Sequence, residues 1–192
     1  MSTIVAVRKG RTAAIAADTL TTFGDTRQPA HFERWHDKIV PVHDSYLGVV
    51  GSAAHQLVIS NLLRDNSIAR KIRLSDRHAI FDSFVLVHQV LKDRYYLNPK
   101  DGEDDDYESS RIDGLIIGPH GLFGIYALRE VFEYTRFWAI GSGAGFALGA
   151  MHAAYDRLES AEAIAETGIE AGAAFDTGSG LPMTLYTIGL MA

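Results

Sequence analysis

The chain opens on an unbroken apolar stretch. Thr3 to Val7 is β-branched and apolar with no polar alternation, which predicts a strand buried on both faces. Lys9-Gly10-Arg11 supplies a turn, and Thr12 to Ala17 predicts a second strand, so the two form a hairpin with Asp18 at its far end. Thr19 to Asp37 carries turn chemistry and a mixed aromatic and charged stretch that includes Phe32 and Trp35. Lys38 to Val42 and Ser45 to Val50 read as two more short strands. Gly51-Ser52 opens a helix from Ala53 to about Ile68, anchored by Leu57, Leu62 and Leu63. Ser75-Asp76 caps a second helix running to about Tyr95, with Phe81, Phe84, Val85, His88 and Leu91 on its apolar stripe.

Asn98 to Ser110 is then a loop carrying the acidic run Glu103-Asp104-Asp105-Asp106, read as a solvated face. Ile112 to Gly118, Leu122 to Ala127 and Val131 to Tyr134 predict strands, the first two joined by a tight turn at Pro119-His120-Gly121. Ala139 to Gly145 leads into an alanine-rich helix ending near Leu158, and Ser160 caps another to about Ala174. Met183 to Ile188 is a final strand. Grouped strands followed by grouped helices predict an α+β fold rather than a wound parallel sheet, with two sheets packed face to face and covered by helix pairs. The whole span 1–192 reads as one domain without internal repeats.

Composition narrows the chemistry. There are no cysteines among the 192 residues, so disulfides, thiolate metal sites and cysteine nucleophiles are excluded. A formal net charge of −6 argues against nucleic acid as the main partner. Arg70, Lys71 and Arg73 sit near a helix end, where cations complement the dipole. The eight histidines show no paired-ligand spacing, so no metal site and no cofactor is expected. The start of the chain lacks a charged segment followed by an apolar run, and no apolar stretch is long enough to span a bilayer, so a cytoplasmic protein without membrane contact is expected.

The candidate nucleophile is Ser2, which follows only Met1. With Met1 removed, one residue carries both a hydroxyl and an α-amine, a nucleophile with its own base. The α-amine has an ordinary pKa of about 7.7–8.0, suited to general-base work. By itself a Met-Ser start is common and carries no chemistry. An Asp18–Lys38 pair would by itself be read as a structural salt bridge, and Gly51 as an ordinary strand-to-helix glycine. Gly-Ser-Gly at residues 141–143 is also a common helix cap, and Asp176-Thr177-Gly178-Ser179-Gly180 a common turn.

Taken in order, however, six segments resemble the proteasome β-type subunits, and more closely the bacterial HslV-type ring proteases, both N-terminal-nucleophile hydrolases. They are Ser2 to Arg8, Ala16-Ala17-Asp18, Asp37-Lys38-Ile39-Val40, Val49 to Ala54, Ala139 to Gly143, and Asp176 to Gly180. The resemblance covers nearly the whole chain and implies a four-layer αββα sandwich of two mainly antiparallel sheets flanked by helix pairs. It implies that Ser2 attacks a peptide carbonyl, that Lys38 lowers the barrier to the alkoxide, and that Asp18 holds Lys38 ionised. The Gly51 N–H becomes an oxyanion donor, and Ser142, Asp176 and Ser179 orient the terminal amine. Val49, Ala53 and Leu57 fall where the family lines its specificity pocket.

The chain departs from the pattern in carrying serine where the nucleophile is usually threonine, and in a longer stretch between Gly24 and Lys38, where Arg34 is a rival cation. These departures resemble a diverged bacterial branch such as the betaproteobacterial proteasome homologues. The implied activity is a self-compartmentalising peptidase acting on peptides or unfolded proteins inside a homo-oligomeric double ring. An ATP-dependent unfoldase is a further partner the resemblance allows, though no residue identifies one. The alternatives are a catalytically silent ring scaffold and an amidohydrolase for small amides.

Overall fold

The computed structural model describes residues 2–100 and 106–191. Most of the acidic run, Glu103 to Asp105, lies outside the described residues, as does Met1. The first hairpin forms as the pattern predicts: β1 (Ile4–Lys9) pairs antiparallel with β2 (Thr12–Asp18), Ile4 opposite Ala17. Within the stretch of turn chemistry two short strands form, β3 (Thr21–Phe23) and β4 (Thr26–Gln28), and make a separate ribbon. A 3-10 turn over Ala30–Phe32 follows.

A five-stranded antiparallel sheet then assembles from β5 (Ile39–Val42), β6 (Ser45–Val50), β7 (Asp113–Gly118), β8 (Gly121–Ile125) and β9 (Val131–Tyr134), in that order. A strand not anticipated, β10 (Phe137–Ile140), crosses to the other sheet and pairs with β1. The last strand, β11 (Met183–Gly189), closes the far edge, giving the four-stranded order β10-β1-β2-β11.

The helices sort to the two outer faces. α1 (Ala53–Arg64) and α3 (Arg77–Tyr95) cover the five-stranded sheet, and α4 (Ala144–Ala154) and α5 (Ala161–Phe175) cover the four-stranded one. The predicted first helix breaks at Asp65. Its carboxylate accepts the Ser67 N–H and starts a separate turn, α2 (Asn66–Ala69).

The burial of β1 and β2 on both faces follows from the two-residue strand period. Ile4, Ala6, Ile15 and Ala17 point into the layer between the sheets, against Leu115, Ile117 and Leu122. Val5, Val7, Ala14 and Ala16 point outward onto Ala147, Met151, Ala165 and Ile169 of α4 and α5. A third layer packs Ile116, Phe123 and Ile125 beneath Ile59, Ile80 and Phe84. The result is the expected four-layer sandwich, α on β on β on α. Within the α3 stripe, Phe84, His88 and Leu91 are buried, but Phe81 and Val85 are exposed. His88 is held between Ser110 Oγ and Glu108 Oε2, a paired core histidine. Among the described residues no helix is long and apolar enough to cross a membrane.

Candidate active site

The site forms where both sheets end. Ser2 leads into β1, Asp18 is the last residue of β2, and Lys38 precedes β5 in the opposite sheet, pinned there by the Val49 N–H donating to its carbonyl. Asp18 is fully buried and accepts four hydrogen bonds. Thr3 N (2.9 Å) and Lys38 Nζ (2.7 Å) donate to Oδ1; Leu20 N (3.1 Å) and Gly180 N (3.0 Å) donate to Oδ2. Four donors thus hold this carboxylate in one orientation in a dry place.

Lys38 is buried and donates a second hydrogen bond to the Leu20 carbonyl at 2.7 Å. Burial pulls its pKa below the ordinary lysine value, against the opposing pull of Asp18 and, more weakly, Asp176. Two of its three N–H donors are thus used inside the protein, while the residue also lines the cleft that contains Ser2. The rival cation, Arg34, is exposed and lies over the Trp35 ring.

A second polar set surrounds the Ser2 backbone. Ser2 N donates to Ser142 Oγ at 3.1 Å, and Ser2 O accepts from Gly143 N at 3.3 Å. Ser142 Oγ donates in turn to Asp176 Oδ2 at 2.7 Å, and Ser179 Oγ donates to the same oxygen at 2.6 Å. Burial pushes the Asp176 carboxyl up, but the hydrogen bonds from Ser179, Ser142 and Gly178 outweigh it and hold the group below the usual range. Gly141 has φ +94° and lies so close to Ser2 that a Cβ there would stand 2.1 Å from its carbonyl oxygen, so only glycine lets the turn carry Ser142 to the Ser2 nitrogen.

Gly51 occupies the junction of β6 and α1 with φ +144°, a conformation other residues rarely adopt. The junction is tied by a reciprocal cap: Ala54 N donates to Ser52 Oγ, and Ser52 N to His55 Nδ1. Burial, with Arg111 nearby, pulls the His55 pKa down and keeps that nitrogen an acceptor. Ser2, Lys38, Val49, Gly51 and Ala53 line one cleft of ≈ 330 Å³ at the N-terminus of α1, where the helix dipole favours negative charge.

The structure therefore brings together Ser2, Asp18, Lys38 and Gly51, and beside them Ser142, Asp176 and Ser179. Of the expected pocket residues Val49 and Ala53 face the cleft. Leu57 does not: it is 72% exposed, and Gln56, one residue back around α1, takes its place. A shift of one residue turns a helix side chain by about 100°.

Sequence reasoning missed Thr3. It is fully buried, with Oγ1 2.7 Å from Ser179 Oγ and its N–H on Asp18, so it joins the two polar sets. Because the Ser179 proton is committed to Asp176, the Thr3 hydroxyl is the donor. The Gly180 N–H was also missed, although it lies within the motif at 176–180. Among the described residues no group of His, Asp and Glu side chains could hold a metal ion.

Chemically, the arrangement offers a serine and a buried cation on one cleft, backbone donors at a helix start, and a hydrogen-bond relay ending on a carboxylate. Comparison with known proteins gives matching proteins over nearly the full length. The chain is 40% identical to Thiobacillus denitrificans BPH, solved in complex with epoxomicin, with a TM-score of 0.91 over 99% of this chain and 100% of that one. The proteasome subunit beta of Nanoarchaeum equitans is 26% identical over 201 residues, 98% of this chain and 93% of its own. HslV from Trypanosoma brucei shares the fold at 21% identity, with a TM-score of 0.70 over 97% of this chain and 99% of that one. No family model matches the chain.

Proposed function

Because the chain belongs to the proteasome β-type, HslV-like N-terminal-nucleophile hydrolases, in their betaproteobacterial branch, we propose that it is a peptidase whose nucleophile is Ser2 once Met1 has been removed. The observation that carries this reading is the convergence on Ser2: its backbone nitrogen on the Ser142–Asp176 relay, and its side of the cleft shared with the Lys38–Asp18 pair.

In the proposed reaction Ser2 Oγ attacks the scissile carbonyl carbon, forming a C–O bond. The α-amine of Ser2 takes the Oγ proton through a water. Lys38, held by Asp18, lowers the cost of negative charge on Oγ. Its positive field also keeps the α-amine neutral and able to accept. The carbonyl oxygen becomes an oxyanion facing the Gly51 N–H and the α1 terminus. Collapse breaks the C–N bond, and the ammonium returns its proton to the leaving amine. Water then hydrolyses the ester, again with the α-amine as base. Ser142, Ser179 and Asp176 orient the amine throughout.

The Thiobacillus denitrificans relative was solved in complex with epoxomicin, which supports a ligand-binding site in this family. We further propose that copies associate into a closed double ring in the cytoplasm and that the substrates are peptides or unfolded chains. Apolar side chains left at the surface, among them Phe132, Trp138, Phe146 and Phe175, support self-association. An ATP-dependent unfoldase remains part of the proposal only as a partner the assembly could accept.

Hydrolysis of a set of fluorogenic peptides, with intact mass recorded on the same sample, tests the reading. Trimmed protein should cleave and Ser2→Ala should not. Trimmed, assembled protein that cleaves nothing would favour the silent scaffold.

A further inference from the structure

Within the cleft that holds Ser2, Ala53 and Gln56 stand one helical turn apart on the same wall of α1. Ala53 is small and leaves room; Gln56 is half-buried and brings a carboxamide to the cleft beside the aliphatic Val49 and Val50, with Thr21, Thr22 and Ser52 lining it further along. That carboxamide has a fixed orientation. Gln56 Nε2 donates to the backbone carbonyl of Asp37, and Asp37 is itself locked. Its Oδ1 accepts from Ile39 N and Thr184 Oγ1, both at 2.9 Å, and its Oδ2 from the Tyr186 hydroxyl at 2.5 Å. Tyr186 in turn stacks on Tyr46, with ring centroids 4.7 Å apart. A carbonyl can only accept, so the nitrogen of Gln56 must face Asp37. The atom left to meet a substrate is Oε1, an acceptor.

We propose that Gln56 determines specificity. The cleft selects a substrate side chain with an apolar body and a hydrogen-bond donor at its tip, a phenol or a carboxamide, over an apolar side chain of similar size without one. This rests on the peptidase reading above and adds its substrate class. A tyrosine or glutamine side chain satisfies Oε1, whereas phenylalanine or leucine strips water from it and supplies nothing in return. Lys38, on the same cleft, disfavours a cationic tip. Since Gln56 is only half-buried, water competes, and the preference is about 10-fold, the scale of one net hydrogen bond, rather than the far larger ratios of fully dry sites.

The test uses four peptides of one sequence, ending in Tyr, Phe, Gln or Leu before an amide-linked fluorophore, on the trimmed, assembled protein. The expected kcat/KM ratios are about 10 for Tyr over Phe and for Gln over Leu. Gln56→Leu should bring both ratios to about 1 while still cleaving Phe and Leu peptides. Gln56→Glu keeps the shape of the side chain and should favour a lysine-ended peptide that the wild type disfavours; it serves equally if Gln56→Leu does not assemble. Cleavage of all four peptides with wild-type ratios near 1, or ratios unchanged in both variants, overturns the role of Gln56 and leaves the peptidase reading standing. Cleavage of none overturns both.

Discussion

Replacing Lys38 by alanine removes one half of a pair whose other half is sealed in. Asp18 has no exposed surface, and Lys38 Nζ lies 2.7 Å from its Oδ1. Removing one partner of a buried ion pair costs about 3–5 kcal/mol, chiefly for the charge left behind. Three backbone donors, from Thr3, Leu20 and Gly180, stay on the carboxylate. They soften the loss, which places Lys38→Ala at the lower end, about 3 kcal/mol. A domain of this size shifts by roughly 2–4 °C per kcal/mol, so Tm falls by about 6–12 °C.

Calorimetry on Lys38→Ala, Asp18→Asn and the double variant closes the cycle. Both Asp18 oxygens accept backbone N–H groups, so an asparagine must turn its own NH₂ against a donor in either orientation. The double variant no longer strands a charge and is less destabilised than the sum of the singles, by about 1–3 kcal/mol. Burial lowers the Lys38 pKa, so between its folded value and 10.5 the folded chain holds fewer protons than the unfolded one. This contribution to stability therefore grows as pH rises through that window and is lost as pH falls through the folded value; Lys38→Ala flattens it. Activity falls by about 10²-fold or more, the scale for loss of a group that stabilises developing charge. A Tm within 1–2 °C of wild type, or an additive cycle, refutes the buried pairing, and full activity in Lys38→Ala refutes its role in the reaction.

Three further outcomes follow from the same geometry. Ser179→Ala strips Thr3 Oγ1 of its buried acceptor and Asp176 of a donor; urea unfolding should show a loss of about 1–3 kcal/mol, partly restored by adding Thr3→Val. Tyr186 is pushed up to about 12 by its hydrogen bond to the Asp37 carboxylate and by burial; its contribution to stability is complete below 10 and lost as pH rises through about 12, and ultraviolet titration of Asp37→Asn should find it titrating lower. Phe123→Ala empties a site in the layer under α1 and α3; it should cost about 3–5 kcal/mol by calorimetry, yet leave Ser2 chemistry intact in whatever fraction remains folded.

Much of this was legible in the chain. The fully apolar β1 and the small-residue β2 announced strands buried on both sides, and the order of strands and helices announced the layers. That Asp18, Lys38, Ser142, Asp176 and Ser179 gather at the Ser2 end of the fold was legible through the order of short motifs rather than through any one of them. What escaped was set by tertiary context. Phe137–Ile140 became a strand because β1 offered it an edge; its own sequence, running into Gly141-Ser142-Gly143, looked like the approach to a helix. The β3–β4 ribbon is too short to show a period. The first helix broke at Asp65 because its side chain caps a new turn, a local competition that apolar spacing does not register. Gln56 replaced Leu57 in the cleft because helix phase, not hydrophobicity, decides which side chain faces it. Thr3 gave no signal beyond being a β-branched strand residue, and its role appears only once α5 brings Ser179 across.

The central claim is that one residue supplies both nucleophile and base. A peptide epoxyketone reports this directly, because its warhead closes a ring only on a residue with a hydroxyl and a free amine. Mass spectrometry of trimmed, assembled protein should find the adduct on Ser2, bonded through both Oγ and the α-nitrogen, and absent from Ser2→Ala. An adduct elsewhere in the chain, or none on fully trimmed protein, would contradict the account.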